Sequence, residues 1–247
     1  MKYRGEIVIK TVKICTCTQC NSIDIIKNGK DYKGSQKFHC NACGYYGTLG
    51  AKPRYSEEMK EMVIRAYFER VSMEGIKRIF GVDPGTLASW LKDRGEKLPE
   101  LEETLEEARS DDVLELDELW SYVQKKDNKR WIWIALCRRT RQVVAYFVGD
   151  RSEDSCRELW KRIPDSYKKL ASFSDFWSAY KKVFNSETHQ SVGKETGKTA
   201  HVERWNNTLR QRLARFVRKT LSFSKSDFFH DLVLRLFIYH YNLSCSF

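Results

Sequence analysis

The sequence predicts an α/β domain, a mixed sheet with flanking helices, preceded by a small cysteine-rich metal module and an all-α segment. Three observations predict it. Two C-x2-C pairs lie near the N-terminus. From Ser56 to Trp90 apolar residues recur every three or four positions, the period of helices packed on one side. Beyond Val113, apolar runs of strand length alternate with helical patterns, as layered strands and helices require.

Composition bounds the rest. The chain has 247 residues, enough for one large domain or two to three small ones, and 41% are hydrophobic, so a sizeable core is possible. No run approaches the roughly 18 apolar residues of a membrane span. The opening MKYRGEIVIKTVKICTC has no apolar core and no small-residue cleavage site, so no signal peptide is expected. A cytoplasmic protein with reduced cysteines and no membrane partner follows. The net charge of +11 points to polyanions as partners. Lys198 to Lys225 holds eight basic residues and one acid, a net +7, so the charge is concentrated in one segment.

In the first segment, residues 1–50, Cys17-x2-Cys20 and Cys40-x2-Cys43 stand 19 residues apart. This is four-cysteine zinc spacing. Each tight C-x2-C turn presents two thiolates, and zinc takes four such ligands at tetrahedral corners. Gly44 suits the second turn. Two short strands are expected around Asn28-Gly29 or Lys33-Gly34, making a zinc ribbon. Cys15 is a spare thiol and His39 an alternative ligand. So short a segment buries little core, so the metal would supply folding energy.

In the second segment, residues 51–110, a helix begins at Ser56 with Glu57 and Glu58 in its first turn, where the helix dipole favours acids. Met59, Met62, Val63, Ala66, Tyr67 and Val71 follow at helical spacing. Ile76, Ile79 and Phe80 mark a second helix, ended by Gly81. Asp83 caps a third, with Pro84 at its first turn. Two short helices about a glycine turn read as a helix-turn-helix, or as a plain helical hairpin. In the former, the last helix presents Gly85, Thr86, Ser89 and Lys92 to DNA. Glu96 to Asp112, with eight acids and two bases, reads as a solvated helical linker with a domain boundary near Arg109.

In the third segment, residues 111–247, Val113 to Val123 and Trp131 to Leu136 read as a hairpin around Asp127-Asn128. The first strand carries the acidic pair Asp117-Glu118. A carboxylate in an apolar strand is expensive to bury unless compensated, so Asp117 points into a metal site or the pair lies on a solvated edge. Val143 to Val148 is a third strand, and Ser152 to Arg162 a helix. Leu170 to Ser174 is a strand with Asp175 at its C-terminal end. Phe176 to Phe184 is helical, and Thr188 to Val192 is a further strand. A long helix from about His201 to Lys219 buries Val202, Trp205, Leu209, Leu213 and Phe216. Glu203, Asn207 and Arg210 share another face, and Arg212, Arg215, Arg218 and Lys219 add cations. Three strands, a helix, a strand ending in Asp and a later helix carrying Glu describe a ribonuclease-H-like order. Gly193 to Thr199 is similar to a phosphate-binding loop, but that motif needs four residues between its glycines and here there are three, which argues against an ATPase.

ELDELW around Asp117, SFSDFWSAY around Asp175 and HVERWNNTLRQRLARFVRKTLSFSKS around Glu203 resemble the DDE transposases of bacterial and archaeal insertion sequences, the insertion-sequence-one type above all. The ribbon and helix-turn-helix resemble that family's DNA-binding part. The resemblance implies Asp117, Asp175 and Glu203 as a catalytic triad holding Mg2+ or Mn2+, with Zn2+ in the ribbon. It implies that the protein binds double-stranded DNA at transposon ends and target, acts as a homo-oligomer and is nucleoid-associated. In that family, water attacks at the element's end and the freed 3′-hydroxyl then attacks target DNA. Arg210 would hold a phosphate near the metals. The alternatives are a DNA-binding regulator without catalysis and a ribonuclease-H-like nuclease that cuts without joining.

Overall fold

A computed structural model of the chain describes residues 14–32, 34–49 and 55–245. Most of the opening stretch read for a leader, Lys33 of one expected turn, and the boundary expected at residues 50 and 51 lie outside them. The chain forms two compact units, divided between Glu57 and Glu58.

The first unit is a three-stranded antiparallel sheet of β1 (Ile25–Lys30), β2 (Gln36–Cys40) and β3 (Tyr46–Thr48). β3 has no counterpart among the expected strands. The turn falls at Asp31 to Ser35, where Asp31 Oδ1 accepts the Ser35 N–H at 2.8 Å and Gly34 takes a φ of 82°. Gly29, φ 70°, instead lies at an irregularity of register inside β1. Among the described residues of this unit, only Cys17 and Cys40 are buried, and Ile23 and Ile26 face solvent. Among the described residues no buried apolar side chain other than these cysteines holds the strands together.

The second unit opens one residue into α1 (Glu57–Tyr67) and continues with α2 (Met73–Phe80) and α3 (Pro84–Glu96). Val63, Ile64 and Tyr67 are the buried face of α1; Met62, expected there, is exposed. Ser72 caps α2, its hydroxyl accepting the Gly75 N–H at 3.0 Å. Gly81 ends α2 with a φ of 67°, a conformation that glycine adopts without a Cβ clash. Asp83 stands at the start of α3 but makes no side-chain cap; it pairs with Lys77 at 3.2 Å instead. α3 packs on the C-terminal helix α8 (Asp227–Cys245): a Cβ on Gly95 would come within 2.2 Å of Leu232 Cδ1.

The acidic stretch after α3, expected as a helical linker, holds only a 3-10 turn at Leu101–Thr104 before the first sheet strand. Its acids have partners that hold it extended. Arg139 donates to Glu106 at 2.8 Å and to Asp112 at 2.6 Å, and the Tyr167 hydroxyl donates to the Glu106 carbonyl at 2.8 Å.

A five-stranded mixed sheet follows. Its strands are β4 (Val113–Tyr122), β5 (Lys129–Cys137), β6 (Val143–Gly149), β7 (Ala171–Ser174) and β8 (His189–Ser191), in the order β6-β5-β4-β7-β8. β4, β5 and β6 pair antiparallel; β7 pairs parallel with β4, and β8 parallel with β7. On one face Leu114, Leu116, Trp133 and Ala135 pack with Cys156, Leu159, Ala179 and Tyr180 of α4 (Glu153–Arg162) and α6 (Ser178–Val183), and with Tyr167 of α5 (Asp165–Lys168). α7 (Ala200–Arg212) and α8 contribute Val202, Trp205, Leu209, Val233 and Leu236, all fully or nearly fully buried.

α7 stops at Arg212, seven residues before the expected end. Leu213 leaves helical geometry, with φ −119° and ψ 109°, and a 3-10 turn at Ala214–Phe216 follows. The break lets Leu213 and Phe216 stay buried while Arg215 turns to Tyr67 and Ser224, at 3.0 and 3.1 Å. Among the described residues no helix is long and apolar enough to cross a membrane.

Candidate active site

Alternation along a strand sends successive side chains to opposite faces. On β4 this separates the adjacent acids. Glu118 turns toward α4 and α6, where it is buried: Arg151 Nε donates to it at 2.8 Å and the Tyr180 hydroxyl at 2.8 Å. The Arg151 guanidinium in turn lies 4.6 Å from the Trp131 ring and 4.0 Å from that of Trp177. Asp117 turns toward α7, where Asn206 Nδ2 donates to its Oδ2 at 2.7 Å.

Asp175 follows the last residue of β7. The parallel register pairs Val113 with Ala171 and Glu115 with Phe173; carried two residues further, it sets Asp175 level with Asp117. Asp175 Oδ1 accepts the Trp177 N–H at 2.9 Å and so faces the turn into α6. A shallow depression of about 310 Å³ opens beside it, lined in part by Arg151, Phe176 and Lys194. Glu203 comes from the first turn of α7, its Oε1 accepting from Thr199 Oγ1 at 3.1 Å.

The three acids share one electrostatic environment. Burial pushes the Asp117 carboxyl up to about 7, and the charges of Glu118, Asp175 and Glu203 add to the effect. The Glu118 carboxyl is also raised, by burial first, with Arg151 and Tyr180 pulling against it. The trio is not drawn tightly together: among the described residues, the groups of three or more donor side chains close enough for a metal number one, the cysteines.

Two polar atoms beside the acids lack partners. Asn206 Oδ1 is buried and unbonded, and so is Arg210 Nε. Burial lowers the Arg210 pKa, the Arg218 charge adds to this, and Asp117 opposes it. Asn206, which the sequence reading did not single out, is the asparagine that turns inward; Asn207, placed on the face of Glu203 and Arg210, is exposed. The spacings i+3 and i+4 lie on either side of the Glu203 face, and only the packing of α7 on β4 selects between them.

Glu115 is the acid that the motif around Asp117 concealed. It is fully buried and accepts four contacts: Arg138 Nε at 2.7 Å, the His201 N–H at 2.8 Å, His201 Nδ1 at 2.7 Å and the Val202 N–H at 3.1 Å. Strand alternation was the available signal, since it places residues 115 and 117 on one face. The same contacts dispose of the phosphate-loop reading of Gly193 to Thr199. An anion belongs at a helix N-terminus, and at α7 the Glu115 carboxylate already occupies that place.

The four cysteines form a second centre. Cys17 and Cys43 lie 3.7 Å apart at Sγ, Cys20 and Cys40 3.6 Å, and all four sulfurs are within 4.8 Å of one another. A tetrahedron with arms of about 2.3 Å has edges of about 3.8 Å, so the cluster could hold zinc. Asn21 follows the first pair with a φ of 59°, as Gly44 follows the second at 73°, so the two turns match. Cys15 and His39 are outside the cluster.

The expected DNA contacts divide. On α3, Ser89 and Lys92 are exposed and Thr86 is half-buried. Arg218 and Lys219 are exposed. Arg212 is tied to Glu69 at 2.9 Å, and Arg215 is tied as described.

A mixed α/β protein with acids on adjacent strands and on the helix beside them, a basic segment and a cysteine module ahead has the parts of a DNA-processing enzyme. Residues 113–243 match the family described as IS1 transposase. Insertion element iso-IS1n protein InsB of Shigella dysenteriae is 39% identical over 129 residues, 51% of this chain and 93% of that protein. Insertion element IS1 protein InsB of Shigella flexneri is 37% identical over 120 residues, 49% of this chain and 88% of that protein. Insertion element IS1 4 protein InsB of Escherichia coli K12 is 36% identical over 120 residues, 49% of this chain and 70% of that protein. The chain belongs to the IS1 transposase family: it is an insertion-sequence transposase.

Proposed function

We propose that this transposase cuts the ends of its element and joins the freed 3′-hydroxyls to target DNA by metal-dependent phosphodiester transfer, with Asp117, Asp175 and Glu203 as the metal-binding acids. The observation that carries the reading is the register that sets Asp175, at the end of β7, level with Asp117 on β4, with α7, which bears Glu203, bonded to Asp117 through Asn206 at 2.7 Å. Like charges held together in a partly buried site raise one another's pKa and call for a cation. All-oxygen donors suit magnesium or manganese, and the unbonded Asn206 Oδ1 is a further buried oxygen beside Asp117. When bound, two such ions would activate the attacking oxygen and stabilise the leaving one. Arg210, with its unpartnered Nε, would take a phosphate oxygen of the substrate. Arg218 and Lys219 would contact the backbone further along.

In this reading the sheet order supports a ribonuclease-H-like fold for residues 111–247, and α2 and α3 about Gly81 serve as a helix-turn-helix within residues 51–110. Thr86, Ser89 and Lys92 would face the bases of the element's ends. Residues 1–50 would be a zinc ribbon, and the protein would work as a homo-oligomer on DNA in the nucleoid.

The experiment is a strand-transfer assay with labelled element ends, Mg2+ and a supercoiled target. Joined product is expected. Binding without cleavage would replace the proposal with a regulator, and cleavage without joining would replace it with a nuclease.

A further inference from the structure

A fully buried carboxylate costs several kcal/mol unless its surroundings repay it. Glu115 is repaid in an informative way. Two of its donors, the His201 and Val202 N–H groups, are among those a helix leaves unsatisfied at its start. Thr199, at the cap position of α7, makes no side-chain cap. Its hydroxyl goes to Glu203 instead. The positive end of the helix dipole also favours an anion there. The cap of α7 therefore comes from β4, 86 residues earlier.

Arg138 completes the arrangement. Its Nε holds Glu115, and its other arm donates to the Lys198 carbonyl at 2.7 Å, just ahead of α7. The guanidinium lies 5.4 Å from the Phe173 ring of β7. One cluster thus joins β4, β7 and the start of α7, the three elements that carry Asp117, Asp175 and Glu203.

Its position matters as much as its bonds. Glu115 is two residues from Asp117 on the same face of β4, and Val202 is one residue from Glu203. The Glu203 carboxylate is held by Thr199 of its own first turn, so its distance from Asp117 is set by where α7 is seated. Two contacts seat it: Glu115 at the N-terminus and Asn206 on Asp117, at 2.7 Å, one turn later.

We propose that Glu115, held by Arg138, is a positioning residue that clamps the N-terminus of α7 to β4 and so sets Glu203 against Asp117 for metal binding. The proposal rests on the triad reading above. Glu115 itself has no acceptor capacity left for a metal, since its two oxygens are taken by the N–H groups of α7, His201 Nδ1 and Arg138.

The test uses the full chain and four proteins: wild type, Glu115→Gln, Arg138→Gln and Asp117→Asn. Each is measured for binding to element ends, for Mn2+ binding by calorimetry, for backbone amide exchange over residues 199–206, and for single-turnover cleavage across a Mn2+ titration. Glu115→Gln keeps the shape but places an amide N–H against donors. It should fold and bind ends as wild type does. Its His201 and Val202 amides should exchange faster, and its Mn2+ half-saturation should rise about 10- to 100-fold, the usual cost of losing support behind a metal ligand. A purely structural residue would lower the melting temperature without moving the Mn2+ dependence. Glu115→Gln that folds with wild-type Mn2+ dependence, while Asp117→Asn is inactive, overturns the clamp alone. Wild-type cleavage in Asp117→Asn overturns the triad and the clamp with it. Should Glu115→Gln not fold, Arg138→Gln carries the same test: it leaves the helix cap in place but loosens Glu115, and an unchanged Mn2+ dependence there overturns the proposal.

Discussion

The cysteines and the acids are two candidate metal centres built in opposite ways. The four sulfurs are already within 4.8 Å of one another, on matched turns, around the only buried residues that their unit describes. The acids come from three separate elements, stand further apart, and share their space with an unpaired amide oxygen and an unpaired arginine nitrogen. A closed set of four soft ligands leaves a metal nothing to do but hold the chain; an open set of hard ligands leaves room for substrate. The contrast teaches that one set of side chains is arranged as a closed cluster and the other as an open one.

The largest expected effect follows from the closed centre. Among the described residues of the first unit only two cysteines are buried, so metal binding at the cluster should supply most of its stability, on the order of 10 kcal/mol for such sites. Cys40→Ser with Cys43→Ser, or a strong chelator, should unfold the β1 to β3 sheet and leave the second unit's cooperative melting in place. Circular dichroism with metal analysis checks this. A sheet that persists without bound zinc would break the comparison at its first term.

Asp117→Asn, Asp175→Asn and Glu203→Gln should each do the reverse, abolishing chemistry while keeping the fold. Losing a metal ligand costs several kcal/mol of transition-state stabilisation, a fall of about a thousandfold or more in cleavage. End binding should persist in all three, read by gel shift beside a cleavage assay. Near-normal cleavage in any one would remove that residue from the centre.

The acids should also make the metal-free protein pH-sensitive. Asp117 has its carboxyl raised to about 7 in the folded chain, against an ordinary 3.8. Between those values the folded state holds a proton that the unfolded chain has released, so stability falls as pH rises through the window. Below it the penalty is absent; above about 7 it is complete. In chelator, wild type should lose melting temperature from pH 5 to pH 8 relative to Asp117→Asn, which should be the more stable at pH 8. Added Mg2+ should restore wild type only. Glu118 gives a control on the other face. Burial raises its carboxyl too, but Arg151 and Tyr180 pull against that rise, so Glu118→Gln removes a buried charge together with its partners' bonds and should change the pH dependence of melting less than Asp117→Asn does. Cleavage should survive in Glu118→Gln.

The two centres were unequally legible in the sequence. Cysteine spacing is local chemistry, and C-x2-C pairs 19 residues apart name their ligands directly. Strand and helix positions beyond Val113 were legible too, since period two and period 3.6 are also local. What escaped was long-range. Glu115 reads as one more acid in ELDELW until the N-terminus of α7 is set against it. The choice of Asn206 over Asn207 depends on how α7 packs on β4. The acidic stretch after α3 has the composition of a solvated helix, yet Arg139 and Tyr167, distant in sequence, hold it extended. The end of α7 at Leu213 carries no glycine or proline to announce it; burial of Leu213 and Phe216 and the reach of Arg215 outweigh helix propensity there.

That break separates the last pair to be compared, two arginines that an unbroken helix would have made alike. Arg215 spends its guanidinium on Tyr67 and Ser224, and Ser224 in turn contacts the buried His230 at 2.7 Å. Arg218 is exposed and adds its charge to the field at Arg210. One arginine is committed to the fold and the other is available to DNA. A phosphate contact releases condensed counterions, so its loss lowers the salt slope of binding by about one. Arg218→Ala should therefore weaken binding to any DNA sequence by a modest, salt-dependent factor and leave the melting temperature unchanged. Arg215→Ala should lower the melting temperature by a few degrees and leave the slope alone. Neither should change which end sequence is preferred, because phosphates position and bases specify; Ser89→Ala on α3 should. Titrations at three salt concentrations, on element ends and on unrelated duplex, separate these outcomes. A changed slope in Arg215→Ala with no change in Arg218→Ala would mean that the committed arginine lets go of Ser224 when DNA arrives. The boundary between committed and available parts of this molecule would then have been drawn in the wrong place.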